Sequence, residues 1–172
     1  CHEIALLSET NVIENLNIVI TGTASKKPNT EDWDYRNAII DPIPNYRALI
    51  SDMFETMKAN SGLGLAGPQV GILEKIFVLK YKRKKMVIIN PVIDFFSDKK
   101  EIGEEGCLSI PNRQVHVERS VSVKMTAQNE LGKVVEIKEK GLMARILQHE
   151  VDHLNGILIL DREVPSYELD GI

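Results

Sequence analysis

Leu142-Met-Ala-Arg-Ile-Leu-Gln-His149-Glu150-Val-Asp-His153-Leu-Asn155 is the stretch on which the reading of the fold turns. A period of 3.6 residues places Leu142, Ile146, His149 and His153 in one narrow stripe, beside the apolar positions Met143, Leu147, Val151 and Leu154. The segment is therefore an amphipathic helix with both histidines turned inward. Asn155-Gly156 supplies the left-handed geometry that ends it. His149 and His153 stand four apart, roughly 6 Å at Cβ, close enough to share one metal ion. Glu150 lies about 100° around the axis, able to flank that ion without being a ligand. The alternative is a pair of hydrogen-bonded core histidines with a surface glutamate.

A catalytic metal needs a third protein ligand. The longer zinc-peptidase pattern H-E-x-x-H-x-x-G-x-x-H fits through Gly156 but has Ile159 where its last histidine belongs. Downstream carboxylates, Glu163 and Glu168, fall in a short polar tail. The ligand should come from upstream, where the other histidines are His2 and His116 and where Cys107 sits in Glu105-Gly-Cys-Leu-Ser109. A divalent cation deprotonates a neighbouring thiol, which gives a reason for a thiol in a chain with 2 cysteines. The alternative is a small buried hydrophobe. Cys107, His149 and His153 with a fourth position open to water is the arrangement of a catalytic site.

A third stretch is Gly62-Leu-Gly-Leu-Ala-Gly-Pro-Gln69. It leaves a helix instead of opening one and lacks a following Lys-Ser/Thr, so it is no phosphate loop. Its small residues allow another backbone to approach, and Gln69 offers a neutral side-chain donor at its end.

Around these stretches, Tyr46, Leu49, Ile50, Met53, Phe54 and Met57 recur at helical spacing and predict a helix over about 45–60, stopped by Asn60-Ser61-Gly62. Strands are predicted at 76–81 and 86–90, a hairpin with a basic tip at Lys82–Lys85, and at 92–96, 114–117, 120–127 and 134–138. A last strand is predicted at 157–160. Upstream, 16–21 is strand-like and 22–34 reads as a surface loop. The fold class is α+β, with small antiparallel or mixed sheets packed around the central helix that carries His-Glu-x-x-His. The expectation is a single domain over 1–172, with 1–44 the least legible part.

Composition agrees with that size of core. The chain has 172 residues, 43% hydrophobic and 27% charged, long enough to bury roughly two thirds of its unfolded surface without a disulfide or structural metal. A metal here is for chemistry. The formal charge of −4 lacks the positive field of a non-specific nucleic-acid binder, so DNA is not an expected partner. No apolar run reaches the length of a membrane span. The sequence opens on Cys1 and not Met, and its start is read as processed or trimmed.

Taken together, Gly62–Gln69, Glu105–Ser109 and Gln148-His-Glu-Val-Asp-His-Leu154 resemble the three signature segments of the peptide deformylases, in that family's order, over about residues 45–160. The resemblance implies a hydrolase of protein biosynthesis that removes the formyl group from N-formylmethionine at the start of nascent chains, releasing formate. It implies one divalent metal, Fe(II) by family habit with Zn, Ni or Co also accommodated, held by Cys107, His149 and His153. Glu150 would be general base and then acid, and the Gln69 amide and the Leu108 N–H would stabilise the oxyanion. Substrate would contact Leu63, Gly64, Glu105, Leu142, Arg145 and Ile146, with the stem of Arg145 lining the methionine pocket and its charge snorkelling outward. Formylmethionyl nascent peptides are the implied partner, with transient ribosome contact as a further expectation. The cytoplasm is the implied location, or an organelle in a eukaryote. A general metallopeptidase, or a metal-holding relative with weak or no activity, is the competing reading.

The chain departs from the family pattern in places. Gly67 replaces a usual second Ala, a change expected to loosen the loop. Gln114 stands where some members carry Arg, the usual N-terminal Pro-Asp and Leu-Arg pattern is missing, and the chain ends without the long C-terminal helix that some members use on the ribosome.

Overall fold

The computed structural model describes residues 46–165; the strand and loop expected over 16–34 lie outside them. Helix α1 (Tyr46–Ala59) is followed by strand β1 (Gly64–Ala66), a single 3₁₀ turn (Gly67–Val70), β2 (Ile76–Tyr81), β3 (Lys84–Phe96), β4 (Lys100–Cys107), β5 (Ile110–Ser120), β6 (Ser122–Gln128), β7 (Val134–Lys140) and helix α2 (Leu142–Leu154). All named strand pairs are antiparallel, in a five-stranded sheet ordered β1-β2-β3-β6-β7 and a separate β4-β5 hairpin.

The five-stranded sheet is covered on both faces near β2. Ile76, Phe77, Val78 and Leu79 are all essentially inaccessible, as expected of a strand with a helix on each side. Val78 and Ile76 meet Met53 and Met57 of α1, while Phe77 and Leu79 meet Ala144, Ile146 and Leu147 of α2. Each such side chain removed from water is worth roughly 1.5–3 kcal/mol, so these two layers fix α2 against the sheet. A third cluster, Cys107, Val115, Val117 and Ile159, packs the β4-β5 hairpin.

Several elements differ from the sequence expectation for identifiable reasons. The strands expected at 86–90 and 92–96 are one strand, bent where Asn90 takes φ 49° and the register shifts before Val92. Pro91 cannot donate to the ladder, and the bulge absorbs it. Strand β4 was not foreseen, because Lys-Glu-Ile-Gly-Glu-Glu-Gly-Cys has little β propensity and is ordered by its partner β5. The expected strand at 157–160 is instead a 3₁₀ turn, Ile159–Arg162. There Asp161 Oδ2 accepts from the Leu158 N–H at 2.8 Å, a local bond that competes with any ladder.

Helix α2 is locked at both ends. Gly141 precedes it at φ 59°. Gln148 fastens its middle to the end of β5, accepting from the Ser120 N–H at 3.1 Å and donating to the Ser120 carbonyl at 2.9 Å. At its C-terminus the Asn155 side chain donates to the Val151 carbonyl at 3.0 Å, and Gly156 follows at φ 71°.

Candidate active site

Strand β4 delivers Cys107 to the face of α2 that carries the two histidines. Cys107 Sγ lies 3.2 Å from His153 Nε2, which lies 3.1 Å from His149 Nε2, and the three donor atoms fall within 4.8 Å of one another. A tetrahedral ion with bonds of ~2.0 Å to nitrogen and ~2.3 Å to sulfur spaces its donors roughly 3.3–3.6 Å apart. The two short separations, 3.2 Å and 3.1 Å, lie within a few tenths of an ångström of that spacing, and two imidazoles with a thiolate suit a borderline or soft divalent ion. The residues fit a metal.

Glu105 determines which way His149 faces. Its Oε2 is 3.0 Å from His149 Nδ1, so Nδ1 carries the hydrogen and Nε2 keeps its lone pair toward Cys107 and His153. Glu105 is held in turn by Arg119, through Nε and Nη2 each at 3.0 Å, and by Arg145 Nη1 at 2.8 Å. Arg119 also bonds Asp152 of α2, which receives Arg162 Nη2 at 2.8 Å. Glu105 and Asp152 thus each have guanidinium partners, as burial demands.

Electrostatics follow from that packing. Burial pushes Glu105 upward, but the bonds from His149 and Arg119 outweigh it and hold the carboxyl at about 2. Burial pushes Glu150 up to about 7, the charge of His149 opposing and that of Glu105 adding. For His149 burial favours the neutral ring, yet bonds to Cys107 and Glu105 prevail and raise it. His153 is lowered by burial and by the charges of His149 and Arg119.

Glu150 is 3% exposed, not a surface residue, and its Oε2 has no hydrogen-bond partner among the described residues. A buried acceptor left bare costs about 1–3 kcal/mol, which a fold retains for a purpose. Gly64 makes room for it: a Cβ there would stand 2.6 Å from Glu150 Cδ. The Gln69 Oε1 accepts from the Ala66 N–H at 2.9 Å.

A groove of about 910 Å³ opens over these groups. Leu63, Gly64, Glu105, Leu142, Arg145 and Ile146 all line it, as do Gln69, Cys107, Leu108, His149 and Glu150; His153 is buried and outside that lining. One wall is β1, the edge of the large sheet. Gln114 is also in the lining.

Two expectations need correction. The Arg145 charge does not snorkel outward: besides Glu105 it donates to the Val117 carbonyl at 2.8 Å and the Glu101 carbonyl at 2.7 Å, so it ties α2 to the β4-β5 hairpin. Nor is the loop slack at Gly67, where an added Cβ would meet the Ile72 carbonyl oxygen at 2.8 Å and that of Glu74 at 3.0 Å.

Sequence reasoning passed over Arg119 and Asp152. The signal for Arg119 was present, because it shares the inward face of β5 with Val115 and Val117, and a charge at an inward position demands a partner.

Comparison with known proteins gives one consistent answer. The polypeptide deformylase family profile matches residues 23–168. A peptide deformylase of Thermotoga neapolitana is 48% identical over 120 residues, 70% of this chain and 73% of that protein, and peptide deformylase 1 of Clostridium acetobutylicum is 49% identical over 118 residues, 69% and 78%. The crystal structure of peptide deformylase from Thermotoga maritima superposes with a TM-score of 0.71 at 43% identity, covering 73% of this chain and 86% of that one.

Proposed function

The chain belongs to the peptide deformylase family, and on that premise we propose how its residues divide the work. The enzyme is a metal-dependent hydrolase that removes the N-formyl group from nascent peptides. In our reading Cys107, His149 and His153 hold the metal, Glu150 moves the proton, and the Gln69 amide and the Leu108 N–H receive the oxyanion.

When bound, a divalent ion supplies Lewis acidity that polarises a carbonyl and acidifies water. The protein's own groups do the remainder. Glu105, pinned by Arg119 and Arg145, keeps the His149 lone pair directed at the cation site; with both oxygens engaged, it serves substrate through that ring. Glu150 takes a proton from the attacking water at its bare Oε2 and returns it to the leaving amine, a role suited to a carboxyl that burial lifts toward neutrality. The formylmethionyl peptide lies extended along β1 beside Leu63 and Gly64, its side chain entering between Leu142, Arg145 and Ile146.

The observation that carries this reading is the orphaned buried carboxylate of Glu150 beside a Cys-His-His donor set. Measuring formate release from formyl-Met-Ala-Ser tests it, with Glu150→Ala as the control: the native enzyme should release formate and the variant should bind metal without turnover. Cleavage of unblocked peptides in place of formylated ones would overturn it. The reading also takes residues 1–172 as one catalytic domain and Fe(II) as the native ion, with Zn, Ni or Co in the same ligands. It includes transient contact with the ribosome, and a cytoplasmic location or an organelle in a eukaryote. No helix among the described residues is long and apolar enough to cross a membrane.

A further inference from the structure

Ser109 closes the Glu-Gly-Cys-Leu-Ser segment and has no part in the reaction as described so far. We infer that Ser109 is a positioning residue that aims the Gln69 amide at the reacting carbonyl, an inference that rests on the deformylase reading of that amide.

Gln69 is 3% exposed and projects from the 3₁₀ turn Gly67–Val70. Its first anchor is the Ala66 N–H, 2.9 Å from Oε1. A backbone N–H only donates, so this bond settles which end of the amide is oxygen. It does not settle where the nitrogen points, because the group can still swing about that one contact.

The second anchor is Ser109 Oγ, which accepts from Gln69 Nε2 at 3.0 Å. Ser109 is itself buried, 8% exposed. Held at both ends, a planar amide has a fixed plane, and its remaining N–H diverges by ~120° from the one already used. The same nitrogen donates to Cys107 Sγ at 3.8 Å. This second N–H is therefore directed to the corner where sulfur and imidazoles meet, the place where charge develops. Cys107, Leu108 and Ser109 are consecutive, so one turn sets the sulfur ligand, the second oxyanion donor and the aim of the first.

A bond that merely stitched this turn to the 3₁₀ turn would affect stability and leave catalysis alone. Kinetics of the holoenzyme separate the two roles. Ser109→Ala should lower kcat about tenfold, the net worth of a neutral hydrogen bond, with KM within about twofold because the donor acts on the transition state. Ser109→Thr, which keeps the hydroxyl, should recover most of the loss. In a Gln69→Ala background, Ser109→Ala should cost nothing further. In the full chain labelled with ¹⁵N, Ser109→Ala should also shift the Gln69 side-chain amide resonances and speed their exchange with solvent. Undiminished kcat in Ser109→Ala, an equal loss in both backgrounds, or unmoved Gln69 resonances would overturn the inference. Absence of formate release by the native enzyme would instead count against the deformylase reading, and the Gln69 resonances would still report whether Ser109 holds the amide.

Discussion

Gly64 and Glu150 show how little freedom single positions have here. The glycine has no side chain because the carboxylate needs the space: an added methyl would lie 2.6 Å from Glu150 Cδ. Gly64→Ala must therefore displace the carboxylate proposed to move the proton while leaving Cys107, His149 and His153 alone. A misplacement of about 1 Å costs on the order of 100-fold in rate, so kcat should fall by about that factor, with bound metal unchanged by elemental analysis. Full activity in this variant would mean that Glu150 does not need its observed position. Gln69→Ala asks a different question. Loss of one oxyanion donor costs about 3–4 kcal/mol, or roughly 10²–10³ in kcat. If KM rises in place of that fall, the amide is a ground-state contact only.

At the scale of elements, α2 was legible because its apolar stripe, its His-Glu-x-x-His spacing and its terminal Asn155-Gly156 agree on one helix. The five-stranded sheet was legible where Val, Ile and Phe dominate, as in Ile76–Tyr81. Strand β4 was not, since its register comes from β5 and its order from ion pairs that no local pattern reveals. Arg119 is the clearest of these, bridging Glu105 of β4 and Asp152 of α2. Arg119→Met would take one guanidinium from each buried carboxylate, leaving Glu105 to Arg145 and Asp152 to Arg162, a loss of charged hydrogen bonds that costs about 1.5–3 kcal/mol. Denaturant titration should show a loss of that size, and an unchanged midpoint would refute the bridge. Another tie joins α1 to the loop before β2, where the Tyr46 hydroxyl donates to Glu74. Burial, then the bond to Glu74 and its charge, push the phenol from 10.0 up to about 12. A raised folded value means that the phenol stabilises the native state in full below pH 10 and ceases to do so as pH rises through about 12. Ultraviolet titration should show one tyrosine ionising in that range, and Tyr46→Phe should remove it.

Across the whole molecule, the site is assembled from two separately packed parts. Cys107 arrives on the β4-β5 hairpin, while His149 and His153 arrive on a helix packed against the five-stranded sheet. The Arg119 and Arg145 ion pairs already draw these bodies together, and in the proposed reading a cation shared by sulfur and both imidazoles would add a further link. An ion that binds only the folded chain stabilises it by mass action, about 2.7 kcal/mol when its free concentration is 100 times its Kd. For a chain of this size each kcal/mol moves Tm by roughly 2–4 °C. Removing the metal with a chelator should therefore end formate release and lower Tm by several degrees. Far-UV circular dichroism should hardly change, because the apolar clusters around Phe77 and Met53 contain no ligand. Returning Fe(II), Zn, Ni or Co should restore Tm in a concentration-dependent way. If Tm ignored both the chelator and the returned metal, the three donor atoms would not be joined by an ion, and their convergence would owe everything to the guanidinium ties around them.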